Sequence, residues 1–139
     1  MKTLLLLTDD NFLAEVLGTY VRRDGIEVVR VASTAEMMQI RGVAAILIDI
    51  AKRGIAGGDI IAVSQRAERA GVPMLVISSQ SRRELSEFAA VVRAADVLSK
   101  SEKMPAIAAR LRLWVNKTRI DDREAPSGFA IPELAVASM

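Results

Sequence analysis

Short, unbroken apolar runs alternate along this chain with longer stretches in which apolar residues return every three or four positions. Lys2-Thr3-Leu4-Leu5-Leu6-Leu7-Thr8, the segment from Val43 to Asp49, and Met74-Leu75-Val76-Ile77 are of the first kind. Such runs mark buried parallel strands, whose two faces are both covered by helices so that no position is left for water. Ile26-Glu27-Val28-Val29-Arg30-Val31 is β-branched but partly alternating, which predicts a strand nearer a sheet edge, and Asp96-Val97-Leu98-Ser99 predicts a short fifth strand. Leu13, Val16, Leu17, Tyr20 and Val21, then Leu85, Phe88, Ala89 and Val92, then Ile107, Ala108, Leu111, Trp114 and Val115 have helical spacing and predict amphipathic helices. Ser33-Thr34-Ala35-Glu36 and Ser81-Arg82-Arg83-Glu84 fit capping boxes, the first opening a short helix with Met37, Met38 and Ile40 behind it. Asp59 is expected to cap a further helix running to about Ala70, and Pro105 suits the first turn of the last one.

Five strand signals alternating with five helix signals predict an α/β fold with a doubly wound parallel sheet and right-handed crossovers. The pattern holds from residue 1 to about 117. From 118 to 139 the periodicity is lost among charges, Pro126, Ser127, Gly128 and Pro132, and this stretch reads as a C-terminal extension, flexible or partner-binding.

With 51% hydrophobic and 26% charged residues the chain is of globular type. No apolar run approaches the roughly 18 residues of a membrane span, so a soluble, cytoplasmic protein is expected. The chain has no Cys and no His, which excludes disulfides, thiolate chemistry and imidazole catalysis and leaves carboxylates, hydroxyls, Lys and Arg. A net charge of +2 gives no argument for nucleic-acid binding. Basic residues do outnumber acidic ones between Arg93 and Arg119, where only Asp96 and Glu102 oppose them.

Against that background Asp49 stands out, a carboxylate at the carboxyl end of an apolar strand. In open α/β sheets ligands bind in the crevice beyond the carboxyl ends of the strands. Asp9, Asp10, Asp49, Ser78 and Lys100 all fall at such ends. Three carboxylates there call for a compensating cation, and hard oxygen donors suit Mg²⁺. A hydroxyl and an ammonium beside them can bind the oxygens of a phosphoryl group. Asp9 or Asp10 alone would be read as a helix cap, Ser78 alone as a turn hydroxyl and Lys100 alone as a solvated lysine; their shared register argues for a site. The glycine-bearing loop from Ile50 to Gly58 matches neither phosphate-binding signature, so nucleotide binding is not favoured.

This constellation resembles the receiver domain of bacterial two-component response regulators, over residues 1 to about 117. Asp9-Asp10 matches the family's metal-binding pair and Asp49 its phosphoacceptor. Gly57, eight residues after Asp49, matches a loop glycine, Ser78 the switch Ser or Thr, and Lys100, 22 residues after Ser78, the family's lysine. The resemblance implies a flavodoxin-like five-stranded sheet in the order 2-1-3-4-5. It also implies a single-domain signalling protein rather than an enzyme. Asp49 would take a phosphoryl group from a histidine kinase, a histidine phosphotransferase or a small donor. Mg²⁺ would be held by Asp9, Asp10, Asp49 and the carbonyl of Ala51, Lys100 would pair with the phosphoryl oxygens, and Ser78 would swing to hydrogen-bond one of them. The expected output is contact with a downstream protein or a second copy through the face of the fourth helix, fifth strand and fifth helix, with no nucleic acid or membrane involved.

The chain departs from the family at four places. Lys52 and Arg53 stand where a Met-Pro pair is usual, and two cations there would either draw in a phosphodonor or weaken Mg²⁺ binding. Val97 stands at the aromatic switch position. Ser101 follows Lys100 in place of Pro. These departures motivate a second expectation, a pseudo-receiver that keeps the fold as a phosphorylation-independent interaction module. A phosphohydrolase of the haloacid-dehalogenase kind is not supported, since its Asp-x-Asp-x-Thr pattern is missing at Asp9 and at Asp49.

Overall fold

The computed structural model describes residues 1–39 and 41–117. Its five strands are β1 (Lys2–Leu7), β2 (Ile26–Val31), β3 (Ala45–Asp49), β4 (Met74–Ser78) and β5 (Asp96–Ser99). Its helices are α1 (Asn11–Arg22), α2 (Thr34–Met37), α3 (Gly57–Ala70), α4 (Arg82–Val92) and α5 (Met104–Lys117). All strand pairings are parallel, and the order across the sheet is β2-β1-β3-β4-β5, as expected for the flavodoxin-like sheet. Ile40, expected in the second helix, and the extension from 118 to 139 lie outside the described residues.

The unbroken apolar runs are explained by two cores. Leu4, Leu6, Leu47, Leu75, Ile77 and Leu98 face α1 and α5, meeting Leu13, Leu17, Ile107 and Leu111. Leu5, Leu7, Ile46, Ile48, Val76 and Val97 face the opposite way, onto Met37, Ile60, Val63, Leu85 and Val92. Successive strand residues point to opposite faces, so a strand buried on both sides must be apolar at every position. Fully burying each such side chain stabilises by roughly 1.5–3 kcal/mol. At the edge strand β2, Glu27 and Arg30 are exposed, and the alternation seen in the sequence reflects that position.

The capping chemistry is mostly as expected. Ser33 and Ser81 accept from the N–H groups of Glu36 and Glu84, and each glutamate reaches back to a backbone N–H. One expectation is corrected: α3 begins at Gly57, not at Asp59. Asp59 sits at the third position and accepts from the Ala56 N–H at 3.2 Å, so it serves the helix start from within. Val43 and Ala44 are buried but precede β3, which is two residues shorter than the apolar run. No helix among the described residues is long and apolar enough to cross a membrane.

Candidate functional site

Parallel topology brings Thr8, Asp9, Asp10, Asp49, Ser78 and Lys100 to one edge of the sheet. Asp49, the last residue of β3, is 2% exposed. Its Oδ2 accepts from the Lys100 ammonium at 2.8 Å and from the Thr8 hydroxyl at 2.6 Å, while Oδ1 accepts from the Ala51 N–H at 3.1 Å. A buried carboxylate survives only with such company, because the desolvation of an unpaired charge far exceeds what packing returns.

Thr8 is a site residue that sequence reasoning missed. The pairing of Leu7 with Ile48 puts the residue that follows β1 opposite Asp49, and that register is the signal that points to it. The Thr8 hydroxyl also accepts from the Asp10 N–H at 2.9 Å, so it ties the end of β3 to the acidic pair. Its carbonyl takes two hydrogen bonds from the Arg30 guanidinium, at 3.1 and 2.8 Å, and Arg30 also donates to the Asn11 side chain at 2.6 Å. The edge strand thus clamps the end of β1.

Asp10 serves both as a helix cap and as a site residue. Oδ1 caps α1 by accepting from the Leu13 N–H at 3.0 Å, and Oδ2 faces the Lys100 ammonium at 3.2 Å. The Leu13 N–H holds the Asp10 carboxyl below its usual range; partial burial opposes this, and Lys100 and the Phe12 N–H reinforce it. For Lys100, burial works against the charged form most strongly, but hydrogen bonds and charges from Asp49 and Asp10 outweigh it and push the ammonium above its usual value. Asp9 is different, with a side chain 57% exposed. Its Oδ1 lies 3.5 Å from the Lys52 ammonium and its Oδ2 accepts from the Arg53 N–H at 3.3 Å.

Ser78, at the end of β4, is buried and accepts from the Gln80 N–H at 3.2 Å. It lies one position beyond Ile77, the register partner of Asp49, and its carbonyl accepts from the Lys100 N–H at 2.7 Å. Accepting from Gln80 leaves its O–H able to donate. Gly57 does not shape the loop through an unusual backbone; the left-handed residue there is Gly54, at φ 82°. Val97 is packed into the core against which α3 and α4 lie. The Ser99 and Ser101 hydroxyls pair at 2.7 Å and close the turn around Lys100.

The donor set of Asp9, Asp10, Asp49 and the Ala51 carbonyl suits Mg²⁺ in chemistry, being entirely hard oxygen. The arrangement does not gather it into a ligand shell. Among the described residues no three acidic side chains converge as a metal group, and each of the six carboxylate oxygens already faces a donor from the chain itself.

No protein-family model and no curated protein matches the chain by sequence. Solved structures do match. A candidate response regulator from Chloroflexus aurantiacus is 26% identical, with a TM-score of 0.70 over 83% of this chain and 98% of the other. The chemotaxis response regulator CheY4 of Vibrio cholerae is 18% identical, with a TM-score of 0.70 over 82% and 98%. A CheY-like receiver domain protein of Methanospirillum hungatei is 15% identical, with a TM-score of 0.70 over 85% and 96%.

Proposed function

We propose, on the premise that this chain has the fold of response-regulator receiver domains, that Asp49 is a phosphoacceptor. A carboxylate oxygen of Asp49 attacks the phosphorus of a phosphohistidine on a histidine kinase or phosphotransferase. The P–O bond forms as the P–N bond breaks, and the imidazole leaves with the electron pair. The product is an acyl phosphate on Asp49, so the protein is a carrier of signal rather than a turnover enzyme. The observation that carries this reading is the geometry of Asp49 itself, nearly buried and held by Lys100 and Thr8 at the carboxyl edge of a parallel sheet.

In this reading Lys100 stays with the phosphoryl oxygens as charge moves from donor to acceptor, as a fixed cation in a partly dry site. Ser78 supplies the hydroxyl that responds, since its O–H is able to donate and its carbonyl is joined to the Lys100 backbone. Asp9, Asp10, Asp49 and the Ala51 carbonyl would hold Mg²⁺, whose contribution is to neutralise charge on the transferring group. Output by protein contact, with a downstream protein or a second copy, would pass through the face of α4, β5 and α5, where Val91 and Leu113 are exposed.

A second reading, a phosphorylation-independent pseudo-receiver, is favoured by one specific observation, that the chain's own donors already occupy the acidic edge. Acetyl phosphate with Mg²⁺ separates the two. Intact-mass spectrometry is expected to find one added phosphoryl group on the wild-type protein and none on Asp49→Asn; equal modification of both would leave only the pseudo-receiver.

A further inference from the structure

Lys52 sits on the loop after β3, yet its side chain is only 16% exposed. Its ammonium lies 3.5 Å from Asp9 Oδ1 and donates to the Arg53 carbonyl at 3.3 Å. The loop backbone is held from two sides, by the Lys52 N–H on the Asp49 carbonyl at 3.0 Å and by the Arg53 N–H on Asp9 Oδ2 at 3.3 Å. Both oxygens of Asp9 are therefore engaged by a loop that begins at the acceptor. Asp10 is shared between the α1 N-terminus and Lys100, and Asp49 between Lys100, Thr8 and Ala51. Lys52 and Lys100 together set two positive charges against three negative ones, and Asp9 is the carboxylate that Lys52 neutralises.

We infer that Lys52 is a resident counter-cation of the acidic edge and competes with a divalent ion for Asp9. The inference rests on the reading of Asp9, Asp10 and Asp49 as an ion-binding edge. An ammonium and a divalent cation cannot share one carboxylate without repulsion, and Mg²⁺ sheds water reluctantly even at sites free of competing charge. The ion enters when Lys52 leaves, and the loop loses one of its ties to Asp9 in the same step. Mg²⁺ affinity is thereby coupled to the conformation of the loop that carries the Ala51 carbonyl.

Isothermal titration calorimetry of the full chain with MgCl₂ at fixed ionic strength tests this. Removing one positive charge from the vicinity of a divalent ion at a half-exposed site is expected to tighten binding about tenfold in Lys52→Met and in Lys52→Gln. Lys52→Arg, which keeps the charge, is expected to stay within about twofold of wild type. Wild-type affinity in both neutral variants, or no binding by any of them, would overturn the inference. The readout is ion affinity and not phosphorylation, so the two readings fail separately. Tighter binding with no modification of Asp49 would keep Lys52 as competitor and refute the phosphoacceptor; modification of Asp49 with unchanged affinity would do the reverse.

Discussion

Thr8 shows how one hydroxyl can serve two strands. It donates to Asp49 in a buried bond and accepts from the Asp10 backbone in a partly buried one. Thr8→Val keeps shape and volume but leaves the Asp49 oxygen one donor short and the Asp10 N–H without its acceptor. Leaving such groups unsatisfied costs about 1–3 kcal/mol, to be seen as a lower urea midpoint that Thr8→Ser largely restores. The charges around it give stability a signed pH dependence. Asp10 titrates lower in the folded chain than in the unfolded one, so its contribution is present above its ordinary value and is lost as pH falls through the depressed one. Lys100 titrates higher when folded, so its contribution is present below its ordinary value and is lost as pH rises through the elevated one. Urea unfolding across pH is expected to show both limbs, and Lys100→Met is expected to flatten the alkaline one. At this scale the sequence was legible for the placement of Asp9, Asp10, Asp49, Ser78 and Lys100 at one sheet edge, because unlike residues at strand ends interrupt an apolar pattern. It was not legible for Thr8, since a threonine closing a strand is ordinary until its neighbour across the sheet is known. Nor did it decide where the Lys52 ammonium goes, which depends on the path of a loop that carries no periodicity.

Strands and helices were legible to within a residue or two, and the exceptions have physical causes. The start of α3 is set by Asp59 reaching back to the Ala56 N–H, a bond that an Asp makes from inside a helix as readily as it caps from outside. Basic residues outnumber acidic ones between Arg93 and Arg119, but folding pairs several of them within the chain. Arg93 meets Glu68, Arg112 meets Asp24, and Lys100 meets Asp49 and Asp10. Asp96 gathers three elements: it accepts from Arg110 at 2.8 Å and from the Trp114 indole at 2.9 Å, both on α5, and from Arg82 on α4 at 3.4 Å. A composition count cannot see this, because the partners lie on different elements. Asp96→Ala removes the shared acceptor and strands a partly buried guanidinium. The arginines keep some solvent, so the expected loss is about 1–3 kcal/mol rather than that of a fully buried pair. Trp114 is the sole tryptophan of the chain, and a red shift of its emission in Asp96→Ala would locate the loosening at α5.

For the molecule as a whole, the fold was readable because each level agreed: strand runs, helix periodicity, caps and the polar residues at strand ends all required one parallel sheet with those residues gathered at its carboxyl edge. The strand order sets how firmly each part is held. β1, β3 and β4 are each paired on both sides, whereas β2 and β5 have one neighbour apiece. Amide hydrogen exchange is expected to be slowest in Leu5–Leu7, Ile46–Ile48 and Leu75–Ile77 and faster along β2 and β5, with uniform exchange across the sheet contradicting this ranking. The same order gives assembly a direction in time. β2, β1 and β3 are complete once the chain has been made through Asp49, and every later strand joins on one side only, β4 beside β3 and β5 beside β4. A nascent chain therefore carries all three acids of the edge before Lys100 has been synthesised. Until the residue after β5 arrives, Asp10 and Asp49 lack their shared ammonium, and the last strand to join the sheet is the one that brings it.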